Sequence, residues 1–157
     1  MARKEQKQWY RLDNAGVLYS ALKKEKYAPV YRFSAVMKET VDPDAVQRAV
    51  DRTMPRFPCF RVRIRKGVFW CYFEPNEKPG PFVRRDIANP CQPIREKWDN
   101  DWLIRFFYYE KRISFEAFHA ISDGAGALTF FRTLLAEYLR ELGVEIPPDP
   151  SILDVKE

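Results

Sequence analysis

Histidine occurs once, cysteine three times and glycine six times in 157 residues, and each scarcity excludes something. One imidazole and the thiols Cys59, Cys71 and Cys91, without any C-x-x-C spacing, argue against a structural zinc site. An odd set of thiols is also no disulfide framework, so Cys59 and Cys71 read as small apolar fillers kept reduced. The longest unbroken apolar run is six residues, 68–73, against the roughly 20 that a membrane-spanning helix needs. The opening Met-Ala-Arg-Lys-Glu-Gln-Lys-Gln is charged with no apolar stretch behind it, so no secretory signal is expected and the cytoplasm is the default compartment. Repeats and low-complexity tracts are absent, which removes solenoid and collagen-like architectures.

What is present is a core. Hydrophobic residues make up 46% of the chain and aromatics 15%, the composition of one packed domain. Lys plus Arg at 27 against Asp plus Glu at 22 gives a net charge of +5, spread along the chain rather than gathered in a tail. That balance permits an anionic ligand without requiring nucleic acid.

Periodicity predicts a short helix within Trp9 to Lys24, with Leu12, Ala15, Leu18, Tyr19 and Leu22 on one face and Asp13 or Asn14 as its cap. Tyr31 to Lys38 alternates and reads as a strand. Asp42-Pro43 then opens a helix whose apolar face is Ala45, Val46, Ala49, Val50 and Thr53, stopped before Pro55. Cys59 to Phe73 reads as a hairpin turning at Lys66-Gly67. One side of it would collect Phe60, Val62, Ile64, Phe69, Cys71 and Phe73, and the other Arg61, Arg63 and Arg65 beside Trp70 and Tyr72. A Pro-rich surface connection, Pro75 to Pro93, leads to a second hairpin, Trp102 to Tyr109 and Arg112 to His119, turning at Glu110-Lys111. That register sets Arg105 across from Glu116 and His119 across from Trp102. A helix follows Gly124 with Leu128, Phe131, Leu135, Tyr138 and Leu142 on its stripe, and Gly143 ends it. The mixed order implies an α+β fold, a largely antiparallel mixed sheet with helices packed on it.

Chemistry concentrates in Phe118-His119-Ala120-Ile121-Ser122-Asp123-Gly124, where a strand gives way to a helix. A group at such a junction is exposed yet rigidly held. Apolar neighbours disfavour a charged imidazole and so leave His119 available as a base near neutral pH. Asp123 suits a helix N-cap and an arginine partner, and Gly124 lets a substrate approach the backbone. On the residues alone, His119 as an ordinary core histidine and Asp123 as an ordinary cap is an equally good account.

His119-Ala120-Ile121-Ser122-Asp123-Gly124 resembles the H-x-x-x-D-G motif of the chloramphenicol acetyltransferase-like acyltransferases, which include alcohol acetyltransferases and the condensation domains of peptide synthetases. Arg56-Phe57-Pro58-Cys59-Phe60-Arg61-Val62-Arg63 is similar to the helix-to-hairpin segment of condensation domains, and Trp9 to Gly16 to the bacterial alcohol-acetyltransferase-like branch. The resemblance implies that His119 is the general base in transfer from an acyl thioester, with acyl-CoA as the expected co-substrate and no permanently bound cofactor. It implies that Asp123 and Gly124 are structural, with Arg61 the first candidate for the partner of Asp123, ahead of Arg63 and Arg56. Condensation domains usually carry a second histidine where this chain has Phe118.

The likeness runs from about Trp9 to Gly143, the N-terminal half of a two-half fold, and the D-F-G-W-G-like segment of the other half has no counterpart after Gly143. The expected organisation is therefore a half-domain over 1–143 and a tail or start of a linker over 144–157. The function so implied is half of an acyltransferase acting on an alcohol or amine, completed by a C-terminal half or by self-association. A non-catalytic assembly domain of the same fold, using the Arg and aromatic side of the first hairpin, is the alternative, and single-stranded nucleic-acid binding a third reading without a motif behind it.

Overall fold

The computed structural model describes residues 10–11, 29–67, 71–86, 88–94 and 98–153. Along them run β1 (Tyr10–Arg11), β2 (Val30–Val36), α1 (Pro43–Thr53), the 3-10 turns Met54–Arg56 and Pro58–Phe60, and β3 (Val62–Lys66). Then follow β4 (Cys71–Pro75), β5 (Val83–Arg85), β6 (Ile104–Tyr109), β7 (Arg112–Phe118) and α2 (Gly124–Glu141). One sheet has the order β1-β4-β3 and the other β2-β7-β6-β5, antiparallel throughout except for the parallel pair β5 and β6. The class is the α+β expected, with a mostly antiparallel mixed sheet.

α1 forms where Asp42 accepts from the Asp44 N–H and Pro43 supplies a first-turn residue with no N–H to satisfy. Its buried face is Ala45, Val46, Ala49, Val50 and Thr53, the set its spacing predicts. β6 and β7 pair as expected, with Arg105 opposite Glu116 and Tyr109 opposite Arg112. Both helices pack on the larger sheet around a nest of rings, in which Phe130 lies 4.6 Å from Phe60 and 4.9 Å from Phe115 between centroids. Here α2 departs from expectation. Of the predicted stripe, Phe131 and Tyr138 are buried and Leu135 packs against the core, but Leu128 is only half-buried and Leu142 is exposed, while Ala127, Phe130 and Leu134 are also buried. The buried face is thus turned towards Phe130 from the predicted stripe and keeps Phe131 and Tyr138 inside, since covering both rings removes more apolar area from water.

The first hairpin does not turn at Lys66-Gly67, since Lys66 still pairs with Cys71, and residues 68–70 lie outside the described residues. Val62, Ile64, Cys71 and Phe73 share one side, as expected, while Phe60 belongs to a 3-10 turn and Phe69 and Trp70 lie outside the described residues. The other side is not an unpaired cationic face, because Arg63 and Arg65 both bind Glu74, at 2.6 Å each. The predicted N-terminal helix falls outside the described residues except at Tyr10 and Arg11, which are strand and pair with Phe73 and Tyr72. Within Pro75 to Pro93 the three-residue β5 is too short to leave a periodic signal. Of the expected tail, residues 144–153 are described and Leu153 is docked, its N–H donating to Thr133 Oγ1 at 3.0 Å and its carbonyl accepting from Arg56 at 2.8 Å.

The sheet face away from the helices carries ions. Glu116, 1% exposed, accepts from Arg32 Nε at 2.8 Å, from Arg105 at 2.6 Å and from the Cys91 N–H at 2.7 Å, and Asp86 holds Arg32 and Arg112. These bonds fasten the segment after β5 across the sheet. Removing one partner of so buried a set leaves unpaired charge, which costs about 3–5 kcal/mol. Glu116→Ala is therefore expected to lower unfolding stability by that amount in urea titration. Arg48→Ala, which breaks a pair with Glu141 from an exposed position, is expected to leave the urea midpoint close to that of the parent.

Candidate functional site

β7 ends at Phe118, whose N–H donates to the Leu103 carbonyl, and the chain leaves the sheet through a turn that begins at His119. The His119 N–H donates to the Pro29 carbonyl at 2.7 Å, which ties the turn to the residue just before β2. The side chain is exposed, so His119 is not enclosed by the apolar neighbours its sequence context suggests. One of its contacts is the ring of Tyr31, edge-on with centroids 5.1 Å apart. Tyr31 stands opposite Ala117 in the β2–β7 ladder, on the side from which His119 continues. A step out of the sheet after Phe118 explains the difference: the alternation points His119 inward, but the strand stops one residue too soon for the alternation to apply.

Tyr31 was not among the residues singled out by the motif, yet it joins the parts of the site. Its hydroxyl donates to the Ser122 carbonyl at 3.3 Å. Burial pushes its phenol from the usual 10.0 up to about 12, helped by the negative charges of Asp123 and Cys59. A phenol so placed is a neutral donor at physiological pH that pins the loop and offers its ring edge to the imidazole.

Asp123 is the N-cap of α2, in extended conformation, its carboxylate accepting from the Gly126 N–H at 2.8 Å. That is the capping role predicted. The predicted arginine partner is not there: the described residues contain no ion pair between Asp123 and Arg61. Arg61 is exposed at the end of a 3-10 turn and lines a different cavity, of about 190 Å³, with Asn76, Lys78 and Trp102. Arg63 is held by Glu74 and Asp101, and Arg56 by Glu137 and the Leu153 carbonyl. Each second-choice cation is thus committed to another group, and the backbone amide at the helix start takes the place of a guanidinium.

Gly124 opens α2 with nothing within 4 Å of where a side chain would begin, so its backbone is open on that side. Gly126 is where a side chain would crowd the cap, for a Cβ would sit 2.7 Å from Ser122 Oγ and 3.2 Å from Asp123 Oδ1, so that the Ser122 hydroxyl would have to rotate away. The Asp-Gly-x-Gly spacing is a visible signal of it in retrospect. Among the described residues no cluster of His, Cys, Asp or Glu could hold a metal ion. Cys59 is exposed rather than a core filler, though neighbouring protein withholds water from its thiolate and pushes the thiol up.

No family model matches the sequence, and neither does any curated protein. Solved structures do match the fold. The starter condensation domain of rhizomide synthetase RzmA is 14% identical with a TM-score of 0.67, covering 90% of this chain and 40% of that one. The tallysomycin biosynthesis protein TlmII is 14% identical with a TM-score of 0.66, over 85% of this chain and 39% of that one. The X-domain from teicoplanin biosynthesis is 15% identical with a TM-score of 0.67, over 96% and 36%. The chain therefore has the condensation-domain, chloramphenicol acetyltransferase-like fold, and spans about 40% of the length of the structures it matches.

The raised Tyr31 phenol makes folding depend on pH in a stated sense. Because the folded-state value lies above the unfolded one, its contribution is intact below pH 10.0 and is lost as pH rises towards about 12. Tyr31→Phe is expected to flatten the alkaline fall in stability over that window, followed by chemical unfolding at a series of pH values, and an unchanged slope would mean that Tyr31 is not the group responsible. Asp123→Ala is expected to cost about 0.5–2 kcal/mol through loss of the cap, and Asp123→Asn much less.

Proposed function

We propose that this chain is the histidine-bearing part of an acyltransferase that moves an acyl group from a thioester, with coenzyme A as the carrier, to an alcohol or amine. The carrying observation is the placement of His119, exposed beside an open backbone at Gly124 on a turn pinned by Pro29 and Tyr31 and followed by a capped helix. The fold it shares with condensation domains supports the same reading without establishing it.

In this mechanism the His119 imidazole accepts the acceptor's O–H or N–H proton while the heteroatom bonds to the thioester carbonyl carbon. The tetrahedral adduct then collapses, its C–S bond breaks, and the departing sulfur takes the proton from the imidazolium. The products are an ester or amide and a free thiol. Asp123 acts at a distance from the reacting atoms, by fixing the helix start and with it the loop that carries His119. The remaining walls of the site would come from a C-terminal half or from a second copy of the chain.

The alternative, a non-catalytic assembly domain, drew on an Arg and aromatic hairpin side. With Arg63 and Arg65 spent on Glu74, the described part of that side no longer favours it.

Positioned proton transfer is worth about 10²- to 10⁴-fold. In any intact form that transfers acyl groups, His119→Ala is expected to lower kcat/KM by that factor while circular dichroism and unfolding stay as in the parent. Unchanged turnover in the folded variant would overturn the assignment.

A further inference from the structure

The cavity of about 190 Å³ that Arg61 lines shares no lining residue with the turn after β7, and the charges around it are of both signs. Its inner wall is apolar, with Met54, at the end of α1, and Trp102 both buried. Its rim carries the exposed residues Arg61, Lys78, Asp51 and Glu77. We propose that this cavity binds a small zwitterion of the α-amino acid class, its apolar side chain against Met54 and Trp102, its carboxylate at Arg61 and its ammonium at Glu77 and Asp51. The proposal goes beyond acyl transfer and does not rest on it.

Three observations carry it. The first is a pair of opposite charges that the fold leaves uncommitted. Lys78 is held by Asp101 at 2.6 Å, but among the described residues neither Arg61 nor Glu77 has an ion-pair partner, in each other or elsewhere. A phosphate or a simple carboxylate at Arg61 would meet the two carboxylates of the rim, and a simple amine would leave the guanidinium unmatched; a ligand with both charges matches both. The second is size. An apolar cavity of about 150 Å³ holds benzene, so this one takes a branched side chain of about four carbons with the charged end at the rim. The third is that the walls are fixed without a ligand, as small-molecule sites usually are. Asn76 is buried, its N–H donates to the Arg61 carbonyl at 2.9 Å, and its side chain donates to the Asn100 carbonyl at 3.0 Å and accepts from the Lys78 N–H at 3.1 Å. Gln47 ties the far end of the same segment to α1, accepting from the Val83 N–H at 2.8 Å, and the Trp102 indole donates to the Pro79 carbonyl at 3.0 Å. Walls already held in place need little ordering when the ligand arrives.

The test is an NMR titration of the isotope-labelled full chain with L-leucine, following the Trp102 indole N–H and the amides of Glu77, Lys78 and Gly80. The expected result is a saturable shift of these signals. Isocaproate, which is leucine without its ammonium, and isoamylamine, which is leucine without its carboxylate, are each expected to bind roughly fivefold or more weakly. Arg61→Gln is expected to weaken leucine by a similar factor and isoamylamine not at all, and Glu77→Gln to weaken leucine but not isocaproate. Both positions are exposed, so the variants keep the parent's fold, which circular dichroism checks. Absence of saturation with leucine, either analogue binding as tightly as leucine, or either variant binding leucine as the parent does would overturn the proposal.

Discussion

The antiparallel ladder between β2 and β7 is the constraint on which both faces of the larger sheet depend. Its register sets Tyr31 against Ala117 and Arg32 against Glu116. On the helix side this brings the Tyr31 ring to His119 and its hydroxyl to the Ser122 carbonyl. On the other side it delivers the Arg32 guanidinium to Glu116 and Asp86. A slip of one residue would exchange the two faces, putting a guanidinium into the ring nest and a phenol among the carboxylates. Two independent penalties therefore defend one register, and the site geometry is a by-product of that defence.

The same ladder shows why much of the fold was legible and part of the site was not. Spacing alone located α1 with its buried face, the β6–β7 hairpin with its turn, and the Arg105–Glu116 pair, because each is a local pattern that a period reports. The motif loop was legible too, including Asp123 as a cap. Tyr31 was invisible as a site residue because nothing local distinguishes it from its alternating neighbours. Its role comes from pairing with a strand 86 positions away, a difference of residue numbers 117 and 31. The Asp123–Arg61 expectation failed for a related reason: whether a cation is available depends on which carboxylates the tertiary fold brings to it, and Glu74 and Glu137 reach Arg63 and Arg56.

Several of the arginines are committed in the same way. Arg32, Arg105 and Arg112 face Glu116 and Asp86, Arg63 and Arg65 face Glu74, and Arg48 and Arg52 face Glu141. The alternation of arginine with aromatic residues, which suggests a stacking surface when read along the chain, becomes intramolecular ion pairs and cation–π contacts such as Arg32 over Phe107 at 5.1 Å. A guanidinium bound to a carboxylate and laid on a ring has little left to offer a phosphate.

What the geometry leaves open is the outer side of His119. A thioester beside a base accessible to bulk water is exposed to hydrolysis, because water competes with the acceptor for the same carbonyl carbon, and transfer needs that competition suppressed. On the proposed reading, an exposed His119 next to an unobstructed Gly124 is half of an answer, because it would present the base but exclude no water. The matched structures are more than twice as long as the region they share with this chain, which is about 40% of their length. On the proposed transfer reading this part would supply the base and the loop that holds it, fixed by one ladder and one helix cap, and a second body lying over the turn would supply dryness. On that division the rigidity of the turn matters as much as its histidine, since a cover can close only on a surface that holds its shape.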